Sequence, residues 1–211
     1  TLVNYLNTEM TKTKGSLLNV LKHGIEIANY KLHLMYTKPA TTFNQELLDK
    51  YEKNIFSVME EVWASDKERI DLVIFLNGLA IMSFELKCNM AGQSYEDAIY
   101  QYRTERNPKS RLFLFKAGCL VNFAMDLNEV YMTTKLDGQS TFFLPFNMGN
   151  GEGVNAGKGN PTYEDKYSVY YMWEDILKKD TVLDLINKFI FIQVKESVDE
   201  LTGKKKIKEI K

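Results

Sequence analysis

The stretch that decides the fold is Arg69-Ile-Asp-Leu-Val-Ile-Phe-Leu-Asn-Gly-Leu-Ala-Ile-Met-Ser-Phe-Glu-Leu-Lys-Cys88. It holds two β-branched and aromatic runs separated by Asn77-Gly78. Such a dipeptide is the strongest short hairpin signal, because both residues accept the positive φ of a tight turn. Three charges, Asp71, Glu85 and Lys87, stand where ordinary strands would carry another Val or Ile. A buried charge costs several kcal/mol unless it is paired or bound to a metal, so their placement needs a reason.

Register narrows the reason. A two-residue loop of Asn77 and Gly78 alone sets Asp71 against Phe84 and turns Glu85 to the other face, since a one-residue slip inverts every side chain. A three-residue loop with Gly78 as a bulge pairs Asp71 with Ser83 and Arg69 with Glu85. Asp71, Ser83, Glu85 and Lys87 then share one face, and Ile70, Leu72, Ile74, Leu76, Met82, Phe84 and Leu86 the other. Only an even register keeps the apolar face intact, and that register also gathers the charges.

Two carboxylates about 4 Å apart repel by roughly 1 kcal/mol in water and about 4 kcal/mol in a partly buried site. A divalent cation removes the conflict: Mg²⁺ takes hard oxygen ligands, one or two of them carboxylates, with waters and substrate phosphate completing the set. Lys87, two residues from Glu85, is placed to orient or deprotonate a water and to stabilise charge developing on phosphorus. The implied reaction is metal-dependent phosphodiester hydrolysis. The same spacing fits a salt-bridged edge of a surface hairpin with Lys87 neutralising Glu85, and the residues by themselves leave both open.

The stretch resembles the nuclease motif of the restriction (R) subunit of type I restriction-modification enzymes, a PD-(D/E)xK fold. The family pattern is Pro-Asp, an apolar strand, Asn-Gly-Leu-Pro, then apolar residues into Glu-x-Lys; here Ile70 and Ala80 occupy the two proline positions. Further similarity lies at Leu21-Lys-His-Gly-Ile, Asn54-Ile-Phe-Ser-Val, Gly157-Lys-Gly-Asn-Pro and Tyr170-Tyr-Met-Trp-Glu-Asp-Ile-Leu. The resemblance implies catalytic Asp71, Glu85 and Lys87, with Mg²⁺ or Mn²⁺ held by Asp71, Glu85 and the backbone carbonyl of Leu86. It also implies a Gln-x-x-x-Tyr motif on the following helix; Gln101 matches, while Glu105 replaces the tyrosine and Tyr102 adjoins the glutamine. The implied partners are double-stranded DNA, the methylation and specificity subunits, and a helicase-like motor that uses ATP and has no motif in these residues. The implied location is the cytoplasm. A RecB-like repair nuclease and a catalytically silent DNA-binding or structural module remain the alternatives.

With 211 residues, 45% of them apolar, the chain has enough material for one domain with its own core. It reads as a single nuclease domain over 1–211, cut from a longer polypeptide. No 20-residue apolar run is present, so no spanning helix is expected. Two cysteines without a Cys-x-x-Cys offer no zinc site, and His23 and His33 have no motif around them. The net charge of −1 supplies no global basic face, but Arg103, Arg106, Lys109 and Arg111 cluster after the glutamine and are the candidate DNA contacts.

The coarse pattern predicts an α/β fold, a mixed central sheet flanked by helices. Helices are expected over 16–23, 45–52, from Ser94 to about Arg106, 163–179 and 182–188. Strands are expected over 55–63, 112–116, 119–123 and 130–134, with an apolar run at 189–194. The glycine-rich stretch 147–161 fails the P-loop pattern, since Glu152 and Gly159 occupy the required positions; it reads as a flexible loop. Residues 201–211 read as a charged tail toward the motor.

Overall fold

The computed structural model describes residues 1–12, 15–151, 153–156, 158–198 and 205–210. A helix α1 (Leu2–Thr11) leads to α2 (Leu17–His23), whose first turn is capped by Ser16 Oγ accepting from Asn19 N–H. A short hairpin follows, β1 (Ile25–Ile27) and β2 (Tyr30–Leu32), then α3 (Gln45–Glu52), capped by Asn44. The sheet begins with β3 (Phe56–Ser65), β4 (Glu68–Leu76) and β5 (Leu79–Leu86). Helix α4 (Tyr95–Thr104) crosses to β6 (Val121–Met125), and β7 (Val130–Thr133) and β8 (Leu144–Pro145) complete the sheet. The six strands lie in the order β3-β4-β5-β6-β7-β8, with β5 and β6 parallel and the other neighbours antiparallel. A parallel pair needs a crossover, and α4 is that crossover.

Alternation along the strands feeds two apolar layers. Leu72, Ile74, Leu76, Met82, Phe84, Val121, Phe123 and Met125 pack with Leu6 and Met10 of α1, the apolar residues of α2, and Val182, Leu183 and Ile186 near the C-terminal end. The opposite face, with Val73, Phe75, Ala80 and Ala124, packs against Ala98 and Tyr102 of α4 and against Phe113, Leu136 and Phe143. The result is a mixed sheet between helical layers, as the pattern predicts.

The hairpin turn differs in detail from the expected one. Asn77 and Gly78 form a two-residue loop with φ of 50° and 81°, and Leu76 pairs directly with Leu79. The extra residue that restores even parity sits in β5: Phe75 pairs with Ala80 but Ile74 with Met82, so Ile81 is a bulge. Beyond it Val73 faces Ser83 and Leu72 faces Phe84. Asp71 therefore comes across from Glu85, not from Ser83, and Arg69 instead ion-pairs with Glu61 at 2.6 Å. The register is even, as expected, but shifted by two residues from the expected pairing, because nothing in the sequence fixes where a bulge sits. Asn77 earns its position through its side chain, whose Oδ1 accepts from Ile55 N–H and whose Nδ2 donates to the Leu34 carbonyl, each at 2.7 Å.

Other expectations are corrected. Ile70 packs in the layer beneath α4, and Leu86 is exposed. Residues 112–116 form turns, closed by Gly118 N–H to Leu114 O and Cys119 N–H to Leu112 O, with Phe113 buried; an apolar run here marks a packed loop. Residues 163–170 are irregular, bends and a turn, and helical geometry begins at Tyr171 and a π-type turn over Met172–Ile176, followed by α5 (Lys179–Asp184) and a second π-type turn over Leu185–Phe189. Of the expected tail, Lys205–Ile210 forms a strand (β10) paired antiparallel with Gln193–Val198 (β9); residues 201–204 and 211 lie outside the described residues. The glycine-rich stretch is pinned at its ends by Gly149 N–H to Gly159 O and by Asn160, which accepts from Met148 N–H and donates to Asn128 O; Glu152 and Gly157 lie outside the described residues.

Candidate active site

The site forms at the open end of the β4–β5 hairpin beneath the end of α4. Glu85 is fully buried. Its Oε1 accepts from Arg106 Nε at 2.7 Å, while its Oε2 has no hydrogen-bond partner among the described residues. Asp71 is half-buried and its Oδ2 accepts from the Leu86 backbone N–H at 2.7 Å, a bond that ties one acid-bearing strand to the other. Lys87 is half-buried, its backbone N–H donates to Met125 O, and its Nζ makes no ion pair among the described residues. Asp71, Glu85 and Lys87 are thus brought together, as the shared face requires.

The electrostatics follow from burial. Desolvation pushes the Glu85 carboxyl up to about 7, and the Asp71 charge adds to it; the bond and charge of Arg106, with the Lys87 charge, pull the other way without winning. A carboxyl raised this far by burial and a like charge is a marker of functional sites.

Helix α4 supplies the lid. Ser94 caps it in a reciprocal capping box with Asp97. Asp126, at the end of β6, fixes where α4 begins by accepting from Tyr95 N–H and Asn89 Nδ2 with one oxygen and from Asn128 and Glu129 N–H with the other. The stripe Ala98, Tyr102, Arg106 faces the sheet. Tyr102 is fully buried and its hydroxyl lies 2.9 Å from Ser83 Oγ, which in turn donates to Asn122 Oδ1 at 2.7 Å. Burial pushes the Tyr102 hydroxyl far above its usual range, so it remains a neutral hydrogen-bond partner. Gln101 lies on the neighbouring stripe; its Nε2 reaches Glu105 at 3.4 Å and its buried Oε1 has no partner.

The four basic residues expected at a DNA surface separate. Lys109 and Arg111 are exposed, with Arg111 bonded to Asn7. Arg103 is half-buried, donating through Nε and Nη2 to Thr141 O. Arg106 is buried on Glu85 and does not face outward. Its place was legible only through the i, i+4, i+8 spacing from Ala98 and Tyr102, because charge clustering pointed to the surface instead. The bonds of Asp126 to Asn89 and Tyr95 and the Ser83–Tyr102–Asn122 chain join residues distant in sequence, which local pattern does not reveal.

The donor set suits a hard divalent ion: Asp71 and Glu85 each commit one oxygen to the protein, the second oxygen of Glu85 has no hydrogen-bond partner among the described residues, and the Leu86 carbonyl directly follows Glu85 on β5. Among the described residues there is no group of three or more His, Cys, Asp or Glu side chains fit to hold a metal, so two carboxylates and a carbonyl are the set on offer. No described helix is long and apolar enough to cross a membrane.

The chain is 28% identical over 189 aligned residues to the putative type I restriction enzyme MjaVIIIP endonuclease subunit of Methanocaldococcus jannaschii. That alignment covers 83% of this chain but 16% of the relative, so the chain corresponds to a small part of that protein's length. No solved structure matches. The family described as type I restriction enzyme R protein N terminus matches residues 5–141, which contain the hairpin, α4 and the strands beside them, and the chain belongs to that family.

Proposed function

We propose that this chain is the metal-dependent endonuclease domain of a type I restriction R subunit, cleaving double-stranded DNA by phosphodiester hydrolysis. The observation that carries the proposal is the orphaned Oε2 of fully buried Glu85, across the hairpin from Asp71. A buried ion pair that served structure alone would need its remaining lone pairs satisfied to offset desolvation. Glu85 leaves one oxygen without a partner, as a cation ligand would.

Asp71, Glu85 and the Leu86 carbonyl are the residues that would hold Mg²⁺ or Mn²⁺. Bound there, such an ion supplies Lewis-acid polarisation of the scissile phosphate and lowers the pKa of a water. Lys87 orients the attacking water and balances charge developing on phosphorus. Gln101, with its unpartnered buried Oε1, supports the same side of the site from α4. Exposed Lys109 and Arg111 contact the DNA backbone by charge, and with an overall charge of −1 this contact is weak in isolation. DNA is therefore brought to the site by the assembly, in which a helicase-like motor hydrolyses ATP beside the methylation and specificity subunits, in the cytoplasm.

The test is Lys87→Ala in the full R subunit assembled with its partner subunits, with ATP and Mg²⁺. Cutting is expected to fall below detection while ATPase and translocation continue, since the nucleotide is hydrolysed elsewhere. Unchanged cleavage by that enzyme would remove the assignment from this hairpin.

A further inference from the structure

Arg106 contacts more than Glu85. Its side chain is 5% exposed, Nε donates to Glu85 Oε1 at 2.7 Å, Nη2 donates to the Arg69 carbonyl at 3.1 Å, and Nη1 lies 3.8 Å from Glu105. Arg69 precedes Asp71 by two residues on β4, while Glu85 is on β5. One planar guanidinium therefore spans both acid-bearing strands, and it does so from the end of the helix that carries Gln101. The fork is rigid: its N–H directions are fixed in a plane, so satisfying the Arg69 carbonyl dictates where Nε points. Glu85 cannot turn about its terminal bond without losing the Nε contact. Its Oε1 is thereby fixed and its Oε2 is left as the free donor.

We propose that Arg106 is a positioning residue for the divalent-cation site: it grips one oxygen of Glu85 so that the other is presented, with Asp71, to the ion. This rests on the metal-site reading above. Arg106 itself touches neither ion nor DNA. The proposal separates it from Lys109 and Arg111, which lie close to it in sequence and face outward. It also accounts for a buried arginine whose fork is shared between a carboxylate and a backbone carbonyl, where a simple counter-charge would need no second anchor.

Lysine keeps the charge but cannot span both anchors, so Arg106→Lys is the discriminating variant. The experiment is calorimetric Mn²⁺ titration, without nucleotide, of the full R polypeptide that carries this chain. Wild type, Asp71→Ala, Arg106→Lys, Arg106→Met and Tyr102→Phe are compared, each with a thermal unfolding curve. The wild type is expected to show a Mn²⁺ site that Asp71→Ala removes. Arg106→Lys is expected to weaken that site roughly tenfold or more, the usual cost of losing a residue that orients a metal ligand. Tyr102→Phe, which loosens the same helix stripe, should leave Mn²⁺ affinity within about twofold, a split that a purely structural role for Arg106 would not give. If both Arg106 variants fold and bind Mn²⁺ like wild type, the positioning role is overturned while the metal site stands. If wild type and Asp71→Ala behave alike, the metal site fails and the inference falls with it. Should neither Arg106 variant fold, the wild type decides: with ¹⁵N-arginine label, the Nε–H signal of the buried arginine is expected to move on Mg²⁺ addition. Its silence would overturn the proposal.

Discussion

The two faces of the central sheet are made by the same strands and are both covered, yet they are filled differently. Under α1, α2 and α5 the strands present Ile74, Met82, Phe84, Phe123 and Met125, with Phe84 stacked on Phe123 at 5.0 Å. Under α4, Ser83, Glu85, Asn122 and Thr133 are buried beside Val73 and Ala124. Register explains the polar set: Ser83, Asn122 and Thr133 lie in one row across three strands, and Glu85 and Ala124 lie in the next row but one. The first face stabilises through area and shape; the second gives up some of that stabilisation to hold hydrogen bonds and one charge in fixed positions.

The most severe test of this contrast is on the apolar face. Phe84→Ala is expected to cost about 3–5 kcal/mol, from lost burial and the cavity left against Phe123. Denaturant unfolding measures it. A loss below about 1 kcal/mol would mean that the face is far less tightly packed than the stacked rings indicate.

Next in size is a pH effect confined to the polar face. The Glu85 carboxyl is raised from its ordinary value to about 7 by burial, so the metal-free fold binds this proton more tightly than the unfolded chain does. The contribution to stability is therefore fully present below about pH 4.5 and is lost as pH rises through 7, up to on the order of 3 kcal/mol at about 1.4 kcal/mol per tenfold change in proton affinity. Glu85→Gln should flatten the stability profile between pH 5 and 8. On the metal-site proposal the same ionisation should strengthen cation binding, since a carboxylate ligand must be deprotonated. Mn²⁺ affinity of the wild type is expected to climb over this window, and a flat profile would dissociate Glu85 from the site.

Much of this contrast could be read from the residues. Alternation on β4 and β5 demanded an even register, and that demand alone placed Asp71, Glu85 and Lys87 together. The Asn77-Gly78 turn was legible because its positive φ values favour those two residues. What escaped has common causes. The bulge at Ile81 is a choice among registers of equal parity, which no periodicity reveals. Arg106 looked like a surface cation because charge clustering ignores which stripe of a helix a residue occupies. Asn122 bonds Ser83 and Thr133, and one oxygen of Asp126 bonds Asn89 and Tyr95, all more than 10 residues away, where local pattern is silent. Residues 112–116 had strand-like composition but pack as turns, a tertiary override of propensity.

The turn gives an intermediate effect. Gly78 has φ of 81° and open space where a Cβ would stand, so Gly78→Val adds no clash and isolates backbone strain. The expected loss is about 1–2 kcal/mol. Gly78→Asn should cost less, because asparagine tolerates this region. Equal losses in the two variants would point to a crowded turn and not to its dihedral angles.

The smallest effect sharpens the polar face most. Tyr102 and Ser83 share one hydrogen bond, and the Ser83 hydroxyl donates another to Asn122 Oδ1. Tyr102→Phe keeps the ring against Phe113 and Phe143 and removes only the hydroxyl, so the loss should be about 1 kcal/mol, the net worth of an ordinary buried bond. Ser83→Ala removes the centre of the chain and strands both neighbours, which raises its cost to about 1–3 kcal/mol although fewer atoms are lost. The double variant should cost less than the two singles added, because the second change then removes a group already without its partner. Strict additivity would mean that Tyr102 and Ser83 act independently. Coupling would identify Tyr102, Ser83 and Asn122 as one connected hydrogen-bond chain joining α4 to β5 and β6.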